Sequence, residues 1–295
     1  MDYFKRVSAQ TPTRFWINNV TREQAHLAID AGAVGCTQNP SYTYKMLTDE
    51  QERPYVYEKL DRIIGLEADD NEAQVMLQRE LVAGIADIFM PMYESSHGRQ
   101  GYVSIQGDPF REDVSNIVRY AEFNAGASPN IMAKIPVTKE GLEAIEHVAR
   151  QGIAVSPDAL WQAGMSVAKK VYWMVKERNY PVGFIGGGAR GLHHFTEMVG
   201  ADAAITINWS GTADALIQQD APVVQRFLAP TPYSVVDELT EKLEDYRKAY
   251  YLNAISSEEY EEFGPVVLFR ESFEKAWTSA LQIIGSRRRE LLITG

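Results

Sequence analysis

Lys134 lies inside an apolar segment, where a lysine is unusual. It is the fourth residue of the run Ile131-Met132-Ala133-Lys134-Ile135-Pro136, which predicts a buried β-strand. Burying a charged ammonium is costly unless the group is paired or neutral. Desolvation favours the neutral amine, which can attack a carbonyl carbon and form a Schiff base. A lysine that pairs with a carboxylate, or that reaches solvent from the end of its strand, is the alternative interpretation.

Arg190 is a second residue whose surroundings indicate chemistry. It follows the run Gly186-Gly187-Gly188-Ala189 and precedes a predicted helix around Phe195. Glycines let backbone N–H groups approach a phosphate, a helix N-terminus attracts anions, and a guanidinium binds them with two hydrogen bonds. The run therefore predicts an anion site, although a plain tight turn accounts for it equally well.

Short apolar runs alternate with amphipathic stretches, which predicts βαβ units and a parallel sheet. Seven strands are expected, at Arg14–Asn19, Ala33–Pro40, Tyr102–Gln106, Asn130–Pro136, Gly152–Val155, Val182–Gly186 and Ala203–Asn208. Polar or charged residues stand at the ends of most of them: Asn18, Asn39, Gln106, Lys134, Arg190 and Asn208. In a TIM (β/α)8-type barrel the active site lies at that rim. A doubly wound sheet also uses its strand ends, but no Gly-rich dinucleotide-binding turn follows the first strand, which favours the barrel.

Helices are expected between the strands and beyond the last one. One is predicted to begin at the cap residue Thr138, and another at Ser156-Pro157-Asp158, which combines a cap, a proline and an acid as the first turn of a helix requires. The C-terminal region carries two apolar stripes: Val236, Leu239, Leu243, Tyr246 and Tyr250, and then Phe273, Trp277, Leu281 and Ile284. These stripes could cover the barrel or make a contact between subunits. A homo-oligomer therefore stays open as a possibility. We expect Arg287-Arg288-Arg289 to be a solvated helix end.

Composition excludes several classes of protein. The net charge is −11 and the isoelectric point about 5.0, whereas a nucleic-acid-binding protein usually carries a basic stripe. A single cysteine, Cys36, excludes an internal disulfide and a Cys-based zinc site, and it fits a reducing compartment. The first residues lack the apolar core of a secretory signal, and no apolar run is long enough for a membrane span. We therefore expect a cytoplasmic protein with no nucleic-acid or membrane partner.

Five segments in order resemble the transaldolase family. The run Lys134–Gly141 resembles the K-I-P-x-T-x-E-G segment of transaldolases, Cys36–Ser41 their T-x-N-P-S, and Tyr102–Gln106 their V-S-x-E strand. Thr13–Arg22 resembles their first strand, and Gly186–Arg190 lies where the family binds phosphate with Gly/Ala/Ser-x-Arg. Each motif alone is weak, but their order and spacing hold from about residue 13 to about 210.

The resemblance implies class I aldolase chemistry in a TIM barrel. Lys134 would condense with a ketose phosphate, the C3–C4 bond would break, and the dihydroxyacetone unit would pass to an aldose or be released by hydrolysis. The iminium is the electron sink, so neither a metal nor a cofactor is implied, and the partners are small sugar phosphates. Asn39 would bind donor hydroxyls, Thr37 would line the same pocket and Arg190 would anchor the phosphate. The structural alternative is that Asn39-Pro40 is a turn and Thr37 an ordinary strand residue.

Two site residues depart from the family pattern. Asn18 stands where the family has an aspartate that shuttles the proton of the C4 hydroxyl, and an amide cannot accept and return a proton. Gln106 replaces a glutamate, as in the fructose-6-phosphate aldolase branch. The expected activity is a transaldolase-type transfer, with an aldolase-like lyase and a catalytically impaired sugar-phosphate-binding homologue as alternatives. A metal-dependent lyase is disfavoured because no His/Asp/Glu cluster has ligand spacing.

The predicted barrel is one βα unit short. Seven strands would leave two unpaired edges, which sheets usually avoid. We therefore expect a βα unit to be missing after Val155. Either the protein lacks this unit, or residues that belong between Val155 and Ser156 are missing from the sequence. The domain prediction is one unit over 1–295, with the barrel at about 13–215 and the C-terminal helices at about 216–295.

Overall fold

In the computed structural model, the described residues form one sheet of seven parallel strands, in the order β5-β4-β3-β2-β1-β7-β6. The strands are Arg14–Asn18 (β1), Ala33–Gln38 (β2), Tyr102–Gln106 (β3), Ile131–Ile135 (β4), Val155–Pro157 (β5), Ile185–Gly186 (β6) and Ala204–Asn208 (β7). The structure describes residues 2–136, 155–157, 165–180, 182–187, 191–231, 233, 236–237, 240, 244–256 and 258–294. This order places neighbouring βα units side by side, which is consistent with a (β/α)8-type barrel. Among the described residues, β5 and β6 are the two ends of the sheet, and they are not paired with each other.

Helices cover the sheet and extend beyond its last strand. They are Tyr3–Gln10 (α1), Arg22–Ala31 (α2), Tyr42–Thr48 (α3), Arg53–Ile64 (α4), Asp70–Ser95 (α5), Val114–Ala125 (α6), Met165–Glu177 (α7), His193–Thr196 (α8), Asp214–Gln219 (α9), Glu244–Tyr250 (α10) and Gly264–Thr294 (α11). The predicted capping box at the start of α2 is present, with Thr21 accepting from the backbone of Gln24. The core lies between the sheet and these helices; Phe4 of α1, for example, stacks on Phe15 of β1 with ring centroids 3.9 Å apart.

Val155 lies in the fifth strand as predicted, but the helix start predicted at Ser156 was wrong. Ser156 and Pro157 lie in β5, paired in register with Lys134 and Ile135 of β4, so they do not cap a helix. The sequence is compatible with a strand because proline, which has no N–H to donate, is tolerated at the edge of a sheet. The next described helix, α7, begins only at Met165. Other predictions lie outside the described residues: the helix capped by Thr138, the strand residues Gly152–Ala154, Asp158, Leu239 and Leu243.

The register of the sheet brings the strand ends to one level. Asn18 at the end of β1 lies opposite Asn208 of β7 on one side and Thr37 of β2 on the other. Gln106, the last residue of β3, lies opposite Lys134 of β4. Because all these strands run in parallel, their carboxyl ends share one edge of the sheet, where ligands bind in α/β folds.

Trp16 fills the space beside Gly35 on the neighbouring strand. The indole is 6% exposed, and a Cβ at residue 35 would lie 2.3 Å from its Cε2 atom. A side chain at this position would therefore force the indole out of its place, and only glycine fits here without such a shift.

Gly35→Ala is expected to lower the free energy of unfolding by about 1–3 kcal/mol, the usual cost of overpacking a core. Urea titration followed by tryptophan fluorescence measures the change. Gly183→Ala is the matched control, because a Cβ there meets nothing within 4 Å. Equal stability of the two variants would contradict the packing described for Trp16.

Helix α11 packs against α3, α4 and α5. Near its end, Arg287 donates to both oxygens of Asp61 (2.7 and 2.6 Å), and Arg288 donates to Asp70 at 2.6 Å. The expectation of a solvated arginine run was therefore wrong for these two residues, since they tie the helix to its neighbours. The stripe of Phe273, Trp277, Leu281 and Ile284 faces the protein: Trp277 and Ile284 are fully buried, and Leu281 packs against a core cluster. Within the described ranges, no helix combines the length and apolar character needed to cross a membrane.

Candidate active site

Lys134 is buried at the carboxyl edge of the sheet. Its side chain is held by β4, it is 4% exposed, and its Nζ donates to Oδ1 of Asn39 at 2.5 Å. The ring of Phe273, from α11, lies with its centroid 5.6 Å from the same Nζ. The amine thus stands between a polar acceptor on β2's side and an aromatic face contributed from far along the chain.

Three asparagines continue the hydrogen bonding away from Lys134. Nδ2 of Asn39 donates to Oδ1 of Asn18 at 2.8 Å, and Nδ2 of Asn18 donates to Oδ1 of Asn208 at 2.8 Å. This sequence of bonds, which we call the amide chain (Lys134, Asn39, Asn18 and Asn208), runs in one direction from donor to acceptor. Asn18 therefore uses both ends of its amide, which an aspartate at this position could not do.

Asn19 holds Asn39 in place. Its Oδ1 accepts the backbone N–H of Asn39 at 2.8 Å, and its Nδ2 donates to Oγ of Ser41 at 3.1 Å. The residue has a φ of +44°, a conformation that asparagine tolerates better than most residues. The sequence analysis missed Asn19, although two asparagines in succession after a strand are a signal for such a turn.

A cavity of about 230 Å³ opens in front of the amide chain. Strand ends line one side, including Thr37 and Thr206, which are both 5% exposed; α11 lines the other with Phe269, Ser272 and Phe273. Oγ1 of Thr206 is buried and has no hydrogen-bond partner among the described residues, so it is available to a ligand. No described residue lining this cavity carries a carboxylate.

Gln106 lies on the other side of Lys134. It is 5% exposed, and its backbone carbonyl accepts from Nε2 of Gln78 at 3.1 Å. A separate small cavity of about 20 Å³ joins Gln106 and Lys134 to Glu112, a loop residue that the sequence analysis did not single out. Burial, reinforced by Glu261, raises the pKa of the Glu112 carboxyl to about 7.

The structure brings together most of the predicted site residues. Lys134, Asn18, Thr37 and Asn39 line one cavity, and Gln106 adjoins Lys134 through the smaller one. Arg190 lies outside the described residues, and of its glycine run Gly187 lines the main cavity. The sequence analysis noted Asn208 at its strand end without assigning it to the site, and it missed Thr206. It left open whether the Phe273 stripe, which lies on α11, covers the barrel.

Cys36 is not part of the site. It is fully buried on β2, and burial raises the pKa of its thiol, with nearby Lys45 acting in the opposite direction to a lesser degree. A thiol held in its protonated form is a poor nucleophile. Its burial on β2 gives Cys36 a packing role.

The fold and the cavity define a class: a parallel α/β protein with barrel-like strand order and a buried lysine amine among amide side chains at the strand ends. Such an amine is the type of nucleophile that forms Schiff bases. Comparison with known proteins agrees with this class, since the model of the transaldolase/fructose-6-phosphate aldolase family matches residues 15–161. Through these residues, which span β1 to β5, the chain is similar to that family.

Curated relatives are transaldolases from several bacteria. That of Thiobacillus denitrificans is 28% identical over 162 residues, which are 52% of this chain and 44% of the relative. That of Saccharopolyspora erythraea is 31% identical over 150 residues (48% and 40%), and transaldolase 1 of Streptomyces avermitilis is 33% identical over 151 residues (48% and 39%). The chain thus spans less than half the length of these relatives. The relationship supports a function of the transaldolase or aldolase type.

Proposed function

We propose that this protein is a transaldolase-like Schiff-base enzyme that cleaves a ketose phosphate and transfers its dihydroxyacetone unit to an aldose. The observation that carries the proposal is the burial of Lys134 with its Nζ held by Asn39 at the edge of the main cavity. A buried amine at the ends of parallel strands has the surroundings that nucleophilic lysines require. The family relationship supports the same chemistry.

The reaction begins when Nζ of Lys134 attacks the C2 carbonyl of the ketose. Loss of water gives an iminium, which accepts the electron pair of the C3–C4 bond as that bond breaks. The hydrogen bond to Asn39 orients Nζ. Oγ1 of Thr206, which has no partner among the described residues, and the cavity-lining Asn208 suit the sugar hydroxyls. Phe269 and Phe273 limit the access of water to the bound intermediate.

The substrate phosphate would bind beside Gly187. In this proposal Arg190, three residues on, supplies the guanidinium, and the backbone of the glycine run approaches the phosphate oxygens. The net charge of −11 does not oppose this, because a local positive group decides anion binding. In this proposal the strand ends and α11 form the substrate site together, because α11 supplies one wall of the cavity that contains Lys134.

Borohydride trapping tests the proposal. The protein is incubated with fructose 6-phosphate or a set of ketose phosphates, reduced, and mapped by mass spectrometry. We expect a reduced adduct on the peptide that holds Lys134, and transfer of the three-carbon unit to an added aldose phosphate. If none of the ketoses forms an adduct, the proposal is wrong.

A lyase is the second candidate, and Gln106 favours it. The buried amide stands where transaldolases have a glutamate, and the aldolase branch of the family has glutamine there. Release of the aldehyde product and of free dihydroxyacetone without an acceptor would identify this activity. An adduct that forms without any cleavage would identify a binding homologue impaired by Asn18.

A further inference from the structure

A second cavity lies between α7, α10 and the segment that leads into α11. Its volume is about 270 Å³, just under the roughly 300–1,000 Å³ of typical small-molecule sites. Helix α11 contributes Val266 to this cavity, whereas Phe269 and Phe273 of the same helix line the cavity of Lys134, and no residue lines both. The second cavity, which we call the α7 pocket, is therefore a separate site that the proposed reaction does not use.

Three cationic side chains line the α7 pocket: Lys170, Arg178 and Lys248. Its lining includes no carboxylate, although the chain as a whole has a net charge of −11. Lys248 lies 3.6 Å from Glu259, but no carboxylate among the described residues pairs with Lys170 or Arg178. A concave surface lined by charges of one sign attracts ligands of the opposite sign, so the α7 pocket suits an anion.

Lys170 is held at one end of the pocket with capacity to spare. Its Nζ donates to the backbone carbonyl of Tyr250 and lies 4.0 Å from the centroid of the Tyr250 ring and 5.4 Å from that of Tyr251. An ammonium has three N–H donors, and the carbonyl uses one of them. Burial lowers the pKa of this amine. A carboxylate on Nζ would supply the counter-charge and accept a hydrogen bond.

Helix α7 presents apolar side chains between two of these cations. Lys170, Met174 and Arg178 follow one another in steps of four residues, which places them on one face of the helix. The backbone N–H of Arg178 donates to the carbonyl of Met174 at 3.1 Å, so the helical pattern continues as far as Arg178. The two cations are thus about 12 Å apart along the helix axis. Val171 and Val175 add to the apolar lining between them.

Aromatic rings form much of the opposite wall. Tyr250 and Tyr251 pack edge to face with ring centroids 5.5 Å apart, and Tyr260 and Phe263 lie with centroids 6.3 Å apart. Such walls favour an aromatic ligand, which can continue the offset or edge-to-face packing. A sugar fits them poorly, because most of the lining is apolar and buried hydroxyls without partners are costly.

We propose that the α7 pocket binds a small aromatic carboxylate, with the carboxylate on Lys170 and the ring between Met174 and the tyrosine rings. Charge complementarity identifies the anionic end of this ligand, and the aromatic and aliphatic lining identifies its body. The inference goes beyond the proposed function, because it involves no step at Lys134 and stands or fails independently of that reaction.

The test compares two ligands of the same shape and different charge. The full chain is titrated at pH 7 with 3-phenylpropanoate and with its neutral amide, 3-phenylpropanamide, and binding is followed by ligand-observed NMR. We expect a dissociation constant on the order of 1 mM for the acid, as is typical of a ligand of this size. The amide should bind at least about tenfold more weakly, because it cannot supply the counter-charge.

Substitutions in the pocket assign this preference to its residues. Lys170→Met should weaken binding of the acid at least about tenfold and leave that of the amide unchanged. Arg178→Gln, at an exposed position, should weaken the acid about threefold. Ala249→Phe places a ring inside the pocket and should abolish binding of both ligands. Lys169→Met is the matched control, because the Nζ of this neighbouring lysine donates to the carbonyls of Arg226 and Ala229 outside the pocket.

Three results would show that this inference is wrong. The first is equal affinity of the wild-type protein for acid and amide, or equal affinity of the wild type and Lys170→Met for the acid. The second is displacement of the acid by excess fructose 6-phosphate, which would place it in the cavity of Lys134. The third is that neither ligand binds while the protein self-associates and Ala249→Phe makes it monomeric, which would assign the pocket to a contact between copies of the chain.

Discussion

Lys134→Met is expected to abolish the covalent adduct with a ketose phosphate and to reduce turnover by at least about 10⁴-fold. Removal of a covalent nucleophile has effects of this size or larger, because the remaining binding groups cannot replace the bond it forms. Methionine keeps the length of the side chain and removes a buried amine. The substitution also removes the hydrogen-bond donor to Asn39, which should lower the free energy of unfolding by about 1–3 kcal/mol. The variant should therefore still fold.

Intact-protein mass spectrometry after reduction, together with steady-state kinetics, measures both effects. Lys169→Met is the matched control: Lys169 is partly buried on α7, its Nζ donates to the carbonyls of Arg226 and Ala229, and burial lowers its pKa. This control should form the adduct as the wild type does. Trapping at another lysine in Lys134→Met, at an undiminished rate, would remove Lys134 from its proposed role.

Asn18→Asp is expected to accelerate cleavage of the C3–C4 bond by about 100-fold or more. Asn18 lines the main cavity and accepts from Nδ2 of Asn39, a bond that a carboxylate oxygen would keep. The new carboxylate could take the proton of the C4 hydroxyl, and general acid–base catalysis contributes about 10²–10⁴-fold. Asn208 would have to turn its amide so that it donates to residue 18 instead of accepting from it.

Release of the aldehyde product from the ketose phosphate, followed in a coupled assay, measures this gain. Asn208→Asp is the control, since it adds the same charge to the same edge but has no direct bond to Asn39. If both variants accelerate cleavage equally, the effect is one of local charge rather than of a positioned base. No gain in Asn18→Asp would indicate that the proton of the C4 hydroxyl leaves by another route.

The core of the site could be predicted because a parallel sheet brings its strand ends together. Lys134 lies near the end of an apolar run, and Asn18 and Asn39 each follow one. The alternation of strands and helices places such residues on one edge. The register that pairs Gln106 with Lys134 follows from the same topology. For these residues, the type of side chain and its place in a strand were sufficient to predict that they lie at one edge of the sheet.

Contacts between distant segments could not be predicted in this way. The apolar stripe of α11 indicates burial but does not identify a partner, so neither the approach of Phe273 to Lys134 nor the pairing of Arg287 with Asp61 is visible in the sequence. Glu112 stands in a polar loop, and only its neighbours in space reveal that it is partly buried. At β5, the local pattern of a helix start was outweighed by pairing with β4.

The position of α11 has a consequence for the synthesis of the protein. A nascent chain that has emerged as far as residue 210 already contains the seven strands of the described residues and Lys134, yet it lacks Phe269, Ser272 and Phe273. Domains acquire structure from the N-terminus during translation, so the amine would be open to water and to metabolite carbonyls until α11 docks. Lys134 is thus enclosed only after α11 has been made, and Arg287 and Arg288 of this helix pair with α4 and α5.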